Sequence, residues 1–192
     1  MNKITDGITL DPDIIMKMQV YVQLSFLLLE APLRTQNLTC LTLDKNVKWN
    51  VTEGRIQLDY RDFKSISKRF GPFTPKLSER VSVIFKAWID YGRPQLNPKC
   101  KALFLNKSGR KLRNLGSIMA QVINADLKVR GITPSKIRAI VATAAHDAKL
   151  PEDKRRALAD SMLHSFKTHQ EYYVKTSLQG RHNAGVAVVQ EL

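Results

Sequence analysis

Three dipeptides in this sequence place a helix-capping residue directly before a proline. They are Asp11-Pro12, Thr74-Pro75 and Thr133-Pro134. An Asp or Thr side chain accepts a hydrogen bond from the first helical turn. Proline suits the first helical position because its missing N–H is not needed there. These dipeptides therefore predict helices that begin near residues 12, 75 and 134, and a chain that is largely helical.

Apolar residues at helical spacing extend these starts and indicate further helices. The predicted helices span 12–30, 35–43, 75–91, 112–130, 134–145, 151–163 and 168–176. Short, partly alternating stretches interrupt this pattern and predict strands at 47–51, 55–60 and 68–73, with turn residues at 50–54 and a short extended piece at 103–105. The predicted class is mainly α with a small antiparallel β-sheet, an α+β fold.

The length and apolar content predict one domain with a short arm. The chain has 192 residues, of which 43% are hydrophobic, enough for a real core. We expect a lead-in at 1–10, a domain at 11–178 and a tail at 179–192 that is a candidate docking segment. The apolar run at 20–29 is too short to span a bilayer and is interpreted as a buried helix face, so no membrane partner is predicted.

The charge balance favours a polyanionic partner. Lys and Arg total 31 against 17 Asp and Glu, which gives a net charge of +14 and a pI of about 10.0. Such a balance is typical of nucleic-acid binding. The sequence has no glycine-rich phosphate loop, zinc-ligand spacing or Gly-x-Ser-x-Gly element, and its carboxylates are scattered. Cys40 and Cys100 have no close partner in sequence, so reduced thiols in an intracellular compartment are expected.

The second half of the chain contains three short elements in a recognisable order. Thr-Pro-Ser-Lys-Ile-Arg occupies 133–138, Met-Leu-His-Ser occupies 162–165, and Tyr173 follows His164 by nine residues. This arrangement resembles the tyrosine recombinase signature of phage integrases and bacterial chromosome-dimer resolvases. In that family a His-x-x-Arg element opens a helix, and a Gly-His-Ser-like element precedes the nucleophilic tyrosine by the same interval.

The first half of the chain extends the resemblance. Ala-Pro-Leu-Arg at 31–34 is similar to the first arginine motif of the family. Lys64 stands eight residues before Pro72, which is the interval of the family's sheet-borne lysine. Leu-Phe-Leu at 103–105, followed by Gly109, is similar to its Leu-Phe…Gly stretch. The resemblance thus runs from about residue 12 to 176 and implies the fold of a tyrosine recombinase catalytic domain.

The resemblance implies a role for each candidate residue. Arg34 and Arg138 would clamp the two non-bridging oxygens of a DNA phosphate, for which the planar guanidinium is well suited. His164 would donate to the same phosphate or assist proton transfer, and Ser135 occupies the position of the family's other histidine. The remaining two would carry out the exchange: Tyr173 as nucleophile, forming a 3′-phosphotyrosine, and Lys64 as the acid that protonates the leaving 5′ oxygen. The resemblance implies neither a metal nor ATP.

Three positions depart from the family pattern. Serine at 135 is a poor proton acceptor near neutral pH, Asn37 replaces the usual acidic residue three positions after Arg34, and Leu163 replaces the usual glycine. Tyr172 competes with Tyr173 as the nucleophile. Arg34 could instead cap a helix end or be a solvated charge, and Arg138 could merely touch a phosphate. Lys64 has other basic residues close by in the sequence, and His164 could be a core histidine.

The implied partner is double-stranded DNA, bound by a homo-oligomer, a tetramer in the family, in whichever compartment holds the DNA. Site-specific recombination, integration or transposition is the leading hypothesis for the activity. The alternatives are a recombinase-derived DNA-binding protein without catalysis, a type IB topoisomerase-like enzyme and a basic helical RNA-binding protein.

Overall fold

The computed structural model describes residues 10–63, 66, 68 and 70–170. This part of the chain is mainly helical and carries one small antiparallel sheet, so the predicted fold class is confirmed. The helices with described bounds are α1 Pro12–Leu29, α2 Thr35–Thr39, α3 Glu79–Ala87, α4 Leu115–Leu127, α5 Pro134–Asp147, α6 Glu152–Ser161 and α7 Phe166–Thr168. A π-helical turn, Trp88–Gly92, and a 3₁₀ turn, Arg93–Leu96, continue α3.

Two of the three predicted helix starts are confirmed. The Asp11 side chain accepts from the backbone N–H of Asp13 at 2.7 Å, and α1 begins at Pro12. The Thr133 side chain accepts from the N–H of Lys136 at 3.2 Å, and α5 begins at Pro134. In both cases the cap supplies an acceptor for a backbone donor that the helix itself leaves unsatisfied.

The start predicted at residue 75 is wrong. Helix α3 begins at Glu79, and its cap is Ser78, which accepts from the N–H of Val81 at 3.4 Å. Residues 73–77 instead run beside the sheet. The physical reason is that the carbonyls of Phe73 and Pro75 accept hydrogen bonds from the N–H groups of Tyr60 and Leu58, which holds Thr74-Pro75 in an extended segment.

The sheet pairs β1, Val47–Asn50, with β2, Arg55–Leu58, in an antiparallel register that places Val47 opposite Leu58. On the other side of β2, the N–H of Leu58 donates to the carbonyl of Pro75 at 2.9 Å, and the N–H of Leu77 donates to Ile56 at 2.8 Å. The predicted strand at 68–73 is wrong, because the described residues Ile66, Lys68 and Phe70 are helical.

Aromatic side chains hold the core between α1 and α3. Phe85 lies between Phe26 and Phe104, with ring centroids 5.9 Å and 6.1 Å away, and Trp88 stacks on Phe104 at 6.5 Å. The buried Gln19 of α1 pairs with the backbone of Leu105 in both directions, at 2.9 Å and 2.7 Å. This pairing satisfies the backbone N–H and carbonyl of Leu105 with a side chain of α1.

The other predicted bounds shift by a few residues. Helix α2 ends at Thr39 rather than at 43, because the chain turns and Thr42 pairs with Ala102. Helix α4 begins three residues later than predicted, because the N–H of Leu112 donates to Phe104 in an extended arrangement. It ends at Leu127, where Lys128 takes a left-handed conformation with φ 56°. Helices α5, α6 and α7 then pack in succession, and α5 also packs against α1.

Candidate active site

Arg138 joins three separate parts of the chain. Its guanidinium donates from Nη1 to the carbonyl of Pro32 and from Nη2 to the carbonyl of Met162, the latter at 3.2 Å. Nη2 also contacts Nε2 of His164. Arg138 is 2% exposed and His164 is 1% exposed. Two of the residues predicted to share a site are therefore in direct contact in the interior of the protein.

The position of Arg138 follows from the cap of its helix. Thr133 starts α5, and Arg138 then falls on its buried face together with Ile137 and Ala142. Ser135 lies three residues before Arg138, at a spacing that places two side chains side by side on a helix. It is exposed to solvent. A polar hydroxyl thus lies on the solvent side of the same helix turn as the buried guanidinium.

His164 is held by the way α6 ends. The N–H of His164 donates to the carbonyl of Ala159, and the N–H of Leu163 donates to Asp160, both at 2.9 Å. This pair of bonds is a Schellman motif, which requires a left-handed residue where Leu163 stands. Leu163 has φ +57°, a conformation that favours glycine. The departure of Leu163 from the family pattern therefore falls on a position whose geometry glycine would fit best.

Helix α7 starts directly after His164. The hydroxyl of Ser165 accepts from the N–H of Thr168 at 3.1 Å, and so caps α7. The helical turn continues to Gln170, whereas the predicted helix began at residue 168. Tyr172 and Tyr173, as well as Lys64, lie outside the described residues, so the two tyrosines and the lysine remain predictions.

Arg34 lies at the start of α2 and is exposed to solvent. It follows by two residues the Pro32 carbonyl to which Arg138 is bonded. Asn37, which replaces the family's acidic residue, donates its N–H to the carbonyl of Arg34 at 2.8 Å. The backbone before Arg34 is thus fixed to Arg138, while the guanidinium of Arg34 faces water.

His169 is a buried basic group that the sequence analysis did not single out. It is 1% exposed, its ring stacks on Phe166 with centroids 6.4 Å apart, and neither ring nitrogen has a hydrogen-bond partner among the described residues. Burial lowers its pKa below the ordinary value, and the positive charges of Arg155 and His146 lower the pKa further. Only its spacing of five residues from His164 could have drawn attention to it.

The described residues do not form a clustered metal site. No group of three or more His, Cys, Asp or Glu side chains there is arranged to hold a metal ion. Over the same ranges, no helix combines the length and apolar character that crossing a membrane would require. Cys40 and Cys100 are free thiols.

The chain is similar in fold to XerA recombinase. The superposition has a TM-score of 0.60 at 13% sequence identity and covers 97% of this chain. The chain corresponds to 66% of the length of XerA recombinase, which is therefore the longer protein. Comparison with the sequence profiles of known protein families finds no match, and neither does comparison with curated protein sequences.

Proposed function

We propose that this protein is a tyrosine-type DNA strand transferase that cuts and rejoins DNA in site-specific recombination, integration or transposition. The observation that supports this most directly is the contact of Arg138 with His164 beside the backbone that leads to Arg34. Arg138 and His164 are far apart in sequence yet in contact, and the Pro32 carbonyl that Arg138 binds lies two residues before Arg34. The similarity in fold to XerA recombinase supports the same proposal.

The proposed reaction exchanges one phosphate ester for another. The hydroxyl oxygen of Tyr173 bonds to phosphorus, and the bond from phosphorus to the 5′ oxygen of the DNA breaks. The phenolic proton leaves to His164 or to water, and Lys64 protonates the departing 5′ oxygen. A 3′-phosphotyrosine results, and a 5′ hydroxyl of a partner strand reverses the step to form a new DNA strand.

Arg34 and Arg138 stabilise the charge that develops on the non-bridging oxygens. Their different surroundings assign them different parts in this task. Arg34 faces solvent and meets the DNA first, whereas Arg138 is anchored to the carbonyls of Pro32 and Met162. Because Arg138 is only 2% exposed, the residues that cover it must move before a phosphate reaches it.

A suicide substrate tests the reaction. This DNA duplex carries a nick beside the cleavage position, so the short 5′ product diffuses away and the covalent adduct accumulates. We expect a protein–DNA adduct that survives denaturation, that is lost in Tyr173→Phe and that persists in Tyr172→Phe. If Tyr173→Phe still forms the adduct and Tyr172→Phe does not, the nucleophile is Tyr172. Absence of adduct from the intact protein on its own site would refute catalysis.

A DNA-binding protein without catalysis is the second candidate, and specific residues favour it. Serine at 135 and asparagine at 37 remove a proton acceptor and a carboxylate that the family pattern contains. Ser135→His restores one of them. If the residual pocket is catalytic but slow, this variant forms adduct faster than the intact protein. If the protein only binds DNA, neither form gives an adduct.

We further propose that the protein acts on double-stranded DNA as a homo-oligomer, with four copies assembled on the joined sites. The tail at 179–192 is the proposed docking segment between neighbouring copies, after a domain that spans 11–178 and a lead-in at 1–10. A plasmid relaxation assay separates this from a type IB topoisomerase. A topoisomerase relaxes supercoils as a monomer on any plasmid, whereas a recombinase requires its own site.

A further inference from the structure

The loop that joins the extended piece at 103–105 to α4 has a fixed internal structure. The side-chain oxygen of Asn106 accepts from the N–H groups of Ser108 and Arg110, both at 3.0 Å. The carbonyl of Gly109 accepts from the N–H of Lys99 at 2.8 Å. Because these bonds tie both ends of the loop together, the side chains that it carries are held in defined positions.

A buried arginine fixes the backbone segment that precedes this loop and the extended piece. Arg93 is 7% exposed and donates to the carbonyl of Ala102 at 2.9 Å and to that of Cys100 at 2.6 Å. Burial lowers the pKa of Arg93 below its ordinary value. The backbone that carries Lys99 and Lys101 is therefore fixed to the core by a buried side chain.

Five exposed cations project from this framework: Lys99, Lys101, Arg110, Lys111 and Arg113, which we call the basic platform. They line two adjoining cavities of about 620 Å³ and 680 Å³ that share Cys100. Among the described residues, the first cavity has no carboxylate in its lining, and the second has one, Asp44. We refer to the two cavities together as the groove; the charged side chains that line it are almost all cationic.

Within residues 10–63, 66, 68 and 70–170, the cations of the basic platform have no carboxylate partner. Elsewhere, Lys17 pairs with Asp126 at 2.8 Å and Lys76 pairs with Glu53 at 2.7 Å. Gathering unpaired charges of one sign costs free energy through self-repulsion. A polyanion that bound across the groove would relieve this repulsion.

The basic platform lies close to the candidate active site. Lys111 Nζ contacts the Sγ of Cys40 at 3.6 Å, and Cys40 directly follows the last residue of α2. Arg34 precedes the first residue of the same helix. The six residue steps from Arg34 to Cys40 correspond to about 9 Å along the helix axis. Because each DNA strand presents a phosphate every 3.4 Å or so along the axis, this distance corresponds to about three nucleotides.

We propose that the basic platform binds backbone phosphates of duplex DNA roughly three nucleotides from the cleaved bond, without reading the sequence. The stated distance between the platform and the cleaved bond rests on the proposed function. The binding of phosphates by the platform follows from its charge and does not require catalysis. Binding of this kind positions the duplex, while the selection of a target sequence comes from other contacts.

The test compares two triple variants of the full chain. Arg110→Ala/Lys111→Ala/Arg113→Ala removes three platform charges, and the control Lys17→Ala/Lys76→Ala/Lys86→Ala removes three charges that are paired with carboxylates. Both are made in the Tyr173→Phe background, so that no covalent adduct contributes. Binding to a fluorescent duplex of arbitrary sequence, about 30 base pairs long, is followed by anisotropy at a series of salt concentrations.

We expect the platform variant to have a log–log salt slope shallower by about 2.7, so that between about 50 and 200 mM salt it loses some 40-fold less affinity than its parent. The control slope should change by less than about one. Equal changes in both variants, or an unchanged slope in the platform variant, would overturn the proposal. So would tighter, equally platform-dependent binding of folded RNA, because the partner would then be RNA.

The outcomes for the platform and for catalysis are separable. Covalent trapping by the protein with an intact Tyr173 reports on the reaction, whereas the anisotropy titration uses a protein that cannot react. A platform effect without any adduct supports a binding surface in a protein that does not cleave. An adduct without a platform effect supports cleavage with the duplex held elsewhere. In a duplex that carries the cleavage site, neutral methylphosphonate linkages two to four nucleotides from the cleaved bond should abolish the difference in affinity between the platform variant and its parent; a difference that persisted would overturn the proposed distance.

Discussion

Gly109 provides a sharp test of the packing described for the basic loop. Its φ is +76°, and an added Cβ would lie 2.2 Å from the carbonyl oxygen of Asn97 and 2.7 Å from that of Leu96. Gly109→Ala therefore incurs about 1–2 kcal/mol for the left-handed conformation and about 1–3 kcal/mol for the forced backbone shift. The reduced entropy of the unfolded chain offsets about 0.4–1 kcal/mol. We expect a net destabilisation of about 2–4 kcal/mol.

Gly54 is the matched control because its φ is +61° but nothing lies within 4 Å of the position of an added Cβ. Gly54→Ala should cost only the left-handed term less the entropy offset, about 1 kcal/mol. At roughly 2–4 °C per kcal/mol for a chain of this size, calorimetry should show a fall in Tm of about 4–16 °C for Gly109→Ala and about 2–4 °C for the control. Equal falls would show that the contact with Asn97 is not tight, and would refute the fixed geometry of the loop.

Three further predictions concern the candidate site and its surroundings. Arg138→Ala should lower the free energy of unfolding by about 3–5 kcal/mol in urea titrations, since it leaves two buried carbonyls without their charged donor; a loss below about 1 kcal/mol would contradict the burial. Because the pKa of His169 is depressed in the folded protein, the unfolded chain binds a proton first, so stability should fall as pH drops below the ordinary value of 6.5. His169→Asn should flatten that dependence and His146→Asn should largely retain it, as chemical denaturation at several pH values would show. Leu163→Gly should relieve about 1–2 kcal/mol of backbone strain but lose about 2–5 kcal/mol from the removed buried side chain, so we expect a net destabilisation. Lys128 has the same left-handed conformation but is exposed, so Lys128→Gly should stabilise the protein by up to about 1 kcal/mol. Thermal unfolding of both variants checks the sign of each effect.

The helix starts show how far local chemistry reaches. Asp11 and Thr133 cap helices as predicted because both the cap and the proline act within one turn. Thr74 carries the same signal and does not cap a helix, because its segment finds hydrogen-bond partners on β2. Ser78, four residues later, then becomes the cap. Pairing with a distant strand is a tertiary event, and a dipeptide carries no information about it.

The candidate site divides in a similar way. The spacing of Arg138 and His164 indicated a shared site, and the structure brings them into contact. The spacing could not indicate that Pro32 and Met162 would anchor the guanidinium, because backbone carbonyls carry no sequence signature. The left-handed turn at Leu163 was also hidden, since leucine is a residue that rarely adopts it. Both features depend on where the chain turns rather than on which residues it contains.

The two proposed sites differ in burial, and this difference predicts different responses to salt. Arg138 and His164 lie in the interior, where salt screens charges weakly, whereas the cations of the basic platform are exposed, where screening is strong. If the platform holds the duplex and the buried pair serves the reaction, raising the salt concentration should weaken binding much more than it slows adduct formation in complexes already formed. Single-turnover trapping at saturating protein would then give nearly constant rates while the half-saturating concentration rises steeply. A rate that fell in parallel with affinity would mean that exposed charges take part in the chemical step itself.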